Sequence, residues 1–160
     1  MKKIELINSK LDNPAITTDI IVGFPGETEE DFQQSLDLAQ KAAFSKIHVF
    51  SFSPRKSTAA VKLSKIYGPI KPQIIKQRSA ELRNLNDQLE SAFRDRFVGK
   101  FATVLIEGVS KGLAFGRTER YFMSHIPNTD KKIKKNDIVK VKIIENEKNN
   151  VLAELVDIIG

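Results

Sequence analysis

An α/β segment followed by a small all-β barrel is the fold class that this chain predicts, and three observations carry it. A short β-branched run, Ile20-Ile21-Val22, passes at once into a Gly-Pro-Gly turn and a helix-like pattern, as a buried parallel strand does when it enters its crossover helix. An apolar stripe at helical spacing runs through Ile75, Leu82, Leu85, Leu89, Phe93 and Phe97. After Gly99 the texture changes to five short strand candidates separated by turns and charged loops. The boundary is placed at Val98-Gly99, dividing the chain into 1–98 and 99–160.

Each element has a local reason. Ile4, Leu6, Ile7 and Leu11 form a weak helical face that Asn13-Pro14 terminates. Thr17 to Val22 is the first strand. Thr28 is placed as the N-cap of the next helix, with Glu29, Glu30 and Asp31 suiting the positive end of its dipole, and Phe32, Leu36, Ala39 and Ala43 recur on one face. Lys46 to Phe52 is a second strand, rich in β-branched and aromatic residues. Strand, helix and strand make a right-handed βαβ unit with parallel strands. One such unit cannot bury both faces of a parallel sheet, so this segment reads as the end of a larger α/β domain. Ser53 to Pro72 is a basic loop with a short helix near Ala59 to Ile66. A long helix follows from Gln73 to about Phe97, with Arg78, Arg83, Arg94 and Arg96 at its polar positions. The five strands, expected to be antiparallel, are placed at Ala102–Glu107, Gly112–Arg117, Arg120–His125, Asp137–Ile143 and Val151–Val156. That is the size of an OB-like barrel, a shape often used to bind nucleic acid.

Composition narrows the function classes. The chain is 41% hydrophobic and 29% charged, and it has neither an apolar run of membrane-spanning length nor the apolar core of a signal peptide. A cytoplasmic protein with no membrane partner is the expectation. A net charge of +6 and a pI near 9.5 point to a polyanionic partner. From Leu38 through Ala80 there is no acidic residue, and Lys131, Lys132, Lys134 and Lys135 form a second basic cluster. There is no cysteine, which excludes disulfides, a cysteine nucleophile and a thiolate-held iron–sulfur cluster within these residues.

Three motifs carry a resemblance. Asp19-Ile20-Ile21-Val22-Gly23-Phe24-Pro25-Gly26-Glu27-Thr28-Glu29-Glu30-Asp31-Phe32 resembles the late-barrel strand motif of the radical S-adenosylmethionine methylthiotransferases. His48-Val49-Phe50-Ser51-Phe52-Ser53-Pro54-Arg55-Lys56-Ser57-Thr58-Ala59-Ala60 is similar to a segment of the MtaB-like branch, which acts on N6-threonylcarbamoyladenosine at tRNA position 37. Ser57 stands where that branch usually has Gly. Gly116-Arg117-Thr118-Glu119-Arg120-Tyr121-Phe122 and the basic strand Lys134 to Ile143 resemble the TRAM domain, a small RNA-binding barrel.

The resemblance implies an incomplete radical S-adenosylmethionine (TIM-like) barrel segment over 1–98 and a TRAM barrel over 99–160. It implies tRNA as partner, with S-adenosylmethionine and 4Fe-4S clusters as cofactors of the intact enzyme. Neither the cluster-binding cysteines nor the C-x-x-x-C-x-x-C motif is present. The chain therefore reads as the C-terminal part of such an enzyme, from a truncated gene, a split gene or a cloned piece, inactive alone and holding no cofactor firmly. A separate N-terminal half carrying the cysteines is an implied partner. Two other readings stand beside it, a stand-alone RNA-binding module and a non-functional gene remnant.

Candidate site residues follow. By resemblance, Gly23, Phe24, Pro25, Gly26 and Glu27 lie beside S-adenosylmethionine, and Val49 and Phe50 of the neighbouring strand pack on the same adenine or form ordinary core. Ser53 and Arg55, just past that strand, have the chemistry to hold carboxylate or phosphate oxygens. Arg117, Arg120 and Tyr121, with Lys131, Lys132, Lys134 and Lys135, mix cations with an aromatic ring and suit RNA. From Gly99 to Gly160 there are only 11 Lys+Arg against 8 Asp+Glu, so binding there is expected to be weak and salt-sensitive. No metal-ligating or catalytic residue is expected, since His48 and His125 stand alone.

Overall fold

The computed structural model describes the whole chain apart from Ser57, Thr129, Lys131 and Gly160, and it divides into two units, Met1–Glu90 and Ser91–Gly160. The first opens with α1 (Lys2–Lys10), which buries none of its residues. Strand β1 (Thr17–Val22) and strand β2 (Lys46–Ser51) then pair in parallel around α2 (Glu29–Ala42), with Asp19 opposite His48 and Ile21 opposite Phe50. The start of α2 is set by a reciprocal cap. The Thr28 hydroxyl accepts the Asp31 N–H at 3.1 Å, and the Asp31 carboxylate accepts the Thr28 N–H at 2.9 Å. The bonds from the Thr28 backbone and then its side chain hold the Asp31 carboxyl below the usual range. Their support for the helix end is complete above the usual carboxylate range and is lost as pH falls below that range through the lowered value of Asp31.

Alternation along the two strands decides where the core sits. Ile20, Val22, Ile47 and Val49 turn to one face, where α2 and the long helix α4 (Pro72–Asp95) cover them through Phe32, Leu36, Ala39, Ile75, Leu82, Leu85 and Leu89. The opposite face is left open, with Ile21 and Phe50 each about half exposed. Helix α4 also satisfies the edge of β2, since the Asn86 side-chain carbonyl accepts the Ile47 N–H at 2.7 Å. The short helix α3 (Ala59–Tyr67) lies between β2 and α4 in the chain. Two of the four arginines predicted at polar positions of the long helix are instead buried, Arg78 and Arg94.

The second unit is a closed barrel of β3 (Phe101–Ser110), β4 (Leu113–Thr118), β5 (Met123–Pro127), β6 (Ile138–Asn146) and β7 (Val151–Ile158), joined in the order β3-β4-β5-β7-β6. Contrary to the expectation of antiparallel strands throughout, β5 and β7 run parallel, with Ser124 opposite Val151. The reason is parity. Directions can alternate around a closed ring only if the number of strands is even, so a five-stranded barrel must contain a parallel junction. Val104, Ile106, Ala114, Ile126, Val139, Val141, Ile143, Val151 and Ala153 fill the interior. Arg94 anchors the last turn of α4 to this unit by donating to the Asn146 side chain at 2.8 Å and the Lys148 carbonyl at 3.0 Å. Among the described residues, no helix is long and apolar enough to cross a membrane.

Gly116 has less room for a side chain than any other glycine of the barrel. A Cβ there would lie 2.0 Å from the Leu105 carbonyl oxygen, beside the irregularity in the β3–β4 register between Ile106 and Gly108. Gly116→Ala is therefore expected to cost about 2 kcal/mol through overpacking, or roughly 8–16 °C in the barrel's melting transition. Calorimetry reporting an unchanged transition would show that β3 yields without cost.

Candidate nucleic-acid interface and ligand-side turn

At the carboxyl end of β1 the chain reverses through Gly23-Phe24-Pro25-Gly26. Gly23 has a left-handed backbone (φ 79°), and a Cβ on it would meet the Ile75 side chain at 2.7 Å. Its freedom is thus used for close packing against α4. The Gly23 N–H donates to Glu27 Oε2 at 2.7 Å, and the same oxygen accepts from Arg78 Nη1 at 2.7 Å. Arg78 Nη2 reaches Glu29 at 3.0 Å, and the guanidinium lies 5.2 Å from the centre of the Phe32 ring. Burial pushes the Arg78 pKa down, but the bonds to Glu29 and Glu27 more than offset this and hold it above its ordinary value. Glu27 is a brace of this turn, its carboxylate engaged from within.

The other predicted ligand-side residues are dispersed. Pro25 is buried and Gly26 exposed, while Phe24, 40% exposed, meets Phe52 edge to face at 5.3 Å. Val49 and Phe50 do not share a surface, because neighbouring residues of a strand point to opposite faces. Val49 joins the helix-covered core, and Phe50 looks out of the open face. Ser53 and Arg55 are exposed in the loop after β2, and the Arg55 carbonyl accepts the Thr58 hydroxyl at 2.8 Å. Ser57 lies outside the described residues. Among the described residues, no three His, Cys, Asp or Glu side chains converge as a metal site would require.

In the barrel, two of the predicted basic groups flank one stretch of β3. Arg117 on β4 lies opposite Leu105 and pairs with Glu107 at 3.1 Å. On the other side, the Asn136 N–H donates to the Ile106 carbonyl at 2.9 Å, which brings the loop of Lys132, Lys134 and Lys135 alongside. Asn128 fixes that loop. It is buried, and its side chain accepts the Ile133 N–H at 3.0 Å and donates to the Ile133 carbonyl at 2.8 Å. Lys131 lies outside the described residues.

The cations differ in what they have left to offer. Lys132 pairs with Asp130 at 2.9 Å, a hydrogen bond that holds its ammonium above the ordinary pKa. Lys134 and Lys135 are exposed and form no salt bridge among the described residues. Arg120 is largely enclosed, paired with Glu119 and stacked 4.8 Å from the centre of the Phe97 ring, so it acts as a support of the β4–β5 turn. Tyr121 at that turn has a left-handed backbone (φ 67°) and is 76% exposed.

Phe101 escaped the sequence reading, and Lys140 and Lys142, read there only as part of the basic strand, stand beside it. Phe101 is 56% exposed, Lys142 lies opposite it, and Lys140 sits 5.1 Å from the centre of its ring. The signal was available in the period. Ala102, Val104 and Ile106 supply the inward set of β3, which leaves Phe101 and Leu105 as large apolar residues facing water on the alternate positions. The outer face of β3, β4 and β6 thus combines the exposed Phe101 ring with cations, and Tyr121 adds a second ring at the β4–β5 turn, the combination that suits stacking on bases and contact with phosphates.

Comparison with known proteins agrees with this geometry. Residues 95–156 match the TRAM domain. The chain is 33% identical over 159 residues to the tRNA-2-methylthio-N(6)-dimethylallyladenosine synthase of Aquifex aeolicus, covering 99% of this chain and 35% of that protein. It is 41% identical over 118 residues to the enzyme of the same name from Thermotoga petrophila, covering 73% of this chain and 26% of that protein. It is 40% identical over 126 residues to the threonylcarbamoyladenosine tRNA methylthiotransferase MtaB of Thermotoga maritima, covering 78% of this chain and 28% of that protein. The chain thus spans between 26% and 35% of the length of these curated relatives.

The turn brace is directly testable. With the Arg78 and Glu27 side chains only 6% and 11% exposed, Arg78→Ala leaves a nearly buried carboxylate unpaired and is expected to cost about 3–5 kcal/mol. Adding Glu27→Gln should recover part of that loss, because the orphaned charge is gone. Urea denaturation measures both; equal stability of Arg78→Ala and the unsubstituted chain would remove the brace from the account.

Proposed function

We propose that this chain is the tRNA-holding part of a radical S-adenosylmethionine tRNA methylthiotransferase acting at position 37, with the barrel as the RNA grip. The observation that carries the reading is the coincidence of the TRAM match over 95–156 with a closed five-stranded barrel. The exposed Phe101, Tyr121, Arg117, Lys134, Lys135, Lys140 and Lys142 on that barrel support it. In the same reading, Met1–Glu90 is the end of the cofactor-housing barrel.

The cofactors divide in how they fit. A 4Fe-4S cluster needs thiolates, and these 160 residues contain no cysteine. The cluster does not fit this chain. In an intact enzyme its ligands come from outside these residues, and this chain is proposed not to be catalytic by itself. S-Adenosylmethionine is partly accommodated. The exposed rings of Phe24 and Phe50, at the carboxyl end and on the open face of the two strands, suit a planar adenine. The Gly23 N–H and the Glu27 carboxylate are engaged with each other and with Arg78, so they support that surface from behind.

The similarity of His48 to Ala60 to the MtaB-like branch supports N6-threonylcarbamoyladenosine as the modified base. A second reading, N6-dimethylallyladenosine, is favoured by the names of the relatives at 33% and 41% identity. A stand-alone RNA-binding module and a gene remnant remain the competing classes.

The experiment is tRNA binding by the full chain across a salt series. Arg117→Ala and the pair Lys134→Ala/Lys135→Ala are each expected to weaken binding several-fold and to lower the slope of log K against log salt by roughly 1 for each phosphate no longer neutralised. Substrate tRNAs bearing either adenosine derivative separate the two branches. No binding of tRNA by the unsubstituted chain would overturn the reading and leave a remnant as the better account.

A further inference from the structure

A groove of about 290 Å³ opens in the first unit, away from the open sheet face, and is lined by Ser51, Pro72, Ile75, Lys76, Ser79 and Arg83. It lies at the last residue of β2, at the carboxyl end of a parallel strand, where α/β folds place their ligands. Pro72, Lys76, Ser79 and Arg83 recur at helical spacing on one face of α4. Glu81 falls on the opposite face, where it accepts from Gln77 at 2.9 Å. Neither Lys76 nor Arg83 forms a salt bridge among the described residues. Lys76 also belongs to the acid-free stretch from Leu38 through Ala80. Two uncompensated cations therefore face one concavity.

The polar lining is incomplete in a way that points to an acceptor. Ser79 is 97% withdrawn from solvent, its relative exposure being 3%. Its hydroxyl has one partner, Ser51 Oγ at 3.4 Å, well beyond the usual separation of about 2.7–2.8 Å for hydroxyl pairs. A pair so loosely joined leaves at least one hydroxyl hydrogen to donate, and an anion between the two hydroxyls can take it and compete for the other. We propose that this groove binds a phosphodiester group of tRNA, with Lys76 and Arg83 on the phosphate charge and Ser51 and Ser79 on its oxygens. The groove is slightly smaller than the range of about 300–1,000 Å³ typical of small-molecule sites, and it is open along one side. That shape suits one link of a polymer whose chain continues in both directions. The inference rests on tRNA being the partner and adds to it a second, sequence-independent contact on the α/β unit.

The full chain, as the Lys76→Ala/Arg83→Ala pair and as Arg83→Glu, is compared with the unsubstituted chain in tRNA binding from low to high salt. Both sets of substitutions lie at exposed positions. Removing both cations from the one phosphate is expected to lower the salt slope by roughly 1 and to weaken low-salt binding roughly tenfold, more for the charge reversal. Amide shifts of Ser51 and Ser79 on adding tRNA, retained in Arg117→Ala, would place the phosphate in the groove. If barrel substitutions weaken tRNA binding while both groove variants match the unsubstituted chain, the groove proposal falls and the barrel reading stands. If the unsubstituted chain binds no tRNA but inorganic phosphate shifts the same two amides, the groove takes a free anion and the RNA assignment is overturned.

Discussion

A guanidinium withdrawn from water has to be compensated by its surroundings, and around Arg78 that compensation organises the first unit. One oxygen of Glu27 accepts both the Gly23 N–H and Arg78 Nη1, so the end of β1, the turn and α4 are held through a single atom. The partners are 51 positions apart in the chain. Phe32 of α2 lies beneath the same guanidinium, and it reaches that place because the Thr28 cap starts α2 at the right residue. Arg78 Nε is buried with no partner among the described residues, a deficit of roughly 1–3 kcal/mol for such a group. The core of Val22, Phe32, Ile47 and Leu82 offsets it.

In the barrel the corresponding constraint is closure. An odd number of strands forces the parallel meeting of β5 and β7, and register irregularities in β3 and β6 let a short sheet turn its corners. Closure also removes the strand edges, so the exposed groups that remain are side chains. On β3 the large apolar ones are Phe101, Leu105 and Val109.

Both units hold cations of two kinds, those with a carboxylate of their own and those without, and the difference bears on the proposed contact with RNA. Arg117, Arg120 and Lys132 each carry a carboxylate of their own. A phosphate approaching them has to displace or share that partner, which keeps the gain small and salt-sensitive. Lys134 and Lys135 on the barrel, and Lys76 and Arg83 beside β2, have no such carboxylate to displace among the described residues. A weak grip spread over several cations suits the holding of a large polyanion for chemistry elsewhere, whereas tight recognition would call for base-specific contacts.

Much of this protein was legible before folding was considered. The strand, turn and capped helix of Thr17 to Ala42, the second strand, the long helix and the existence of all five barrel strands follow from period, capping residues and turn chemistry, although the third, expected from Arg120, begins only at Met123. Those are interactions between residues a few positions apart. The absence of cysteine equally settles, by composition, that these residues hold no thiolate-bound cluster. The candidate site was legible only as residue types. That Val49 turns inward while Phe50 turns outward, that Arg78 and Arg94 are buried anchors, and that Arg120 supports a turn depend on which residues meet across the chain. So do the parallel β5–β7 junction, the close approach at Gly116 and the convergence of Ser51 with Ser79. Local physics writes each element into the sequence, while the pairing of charges and the choice of exposed face arise from interactions between distant segments, which only the tertiary structure brings together.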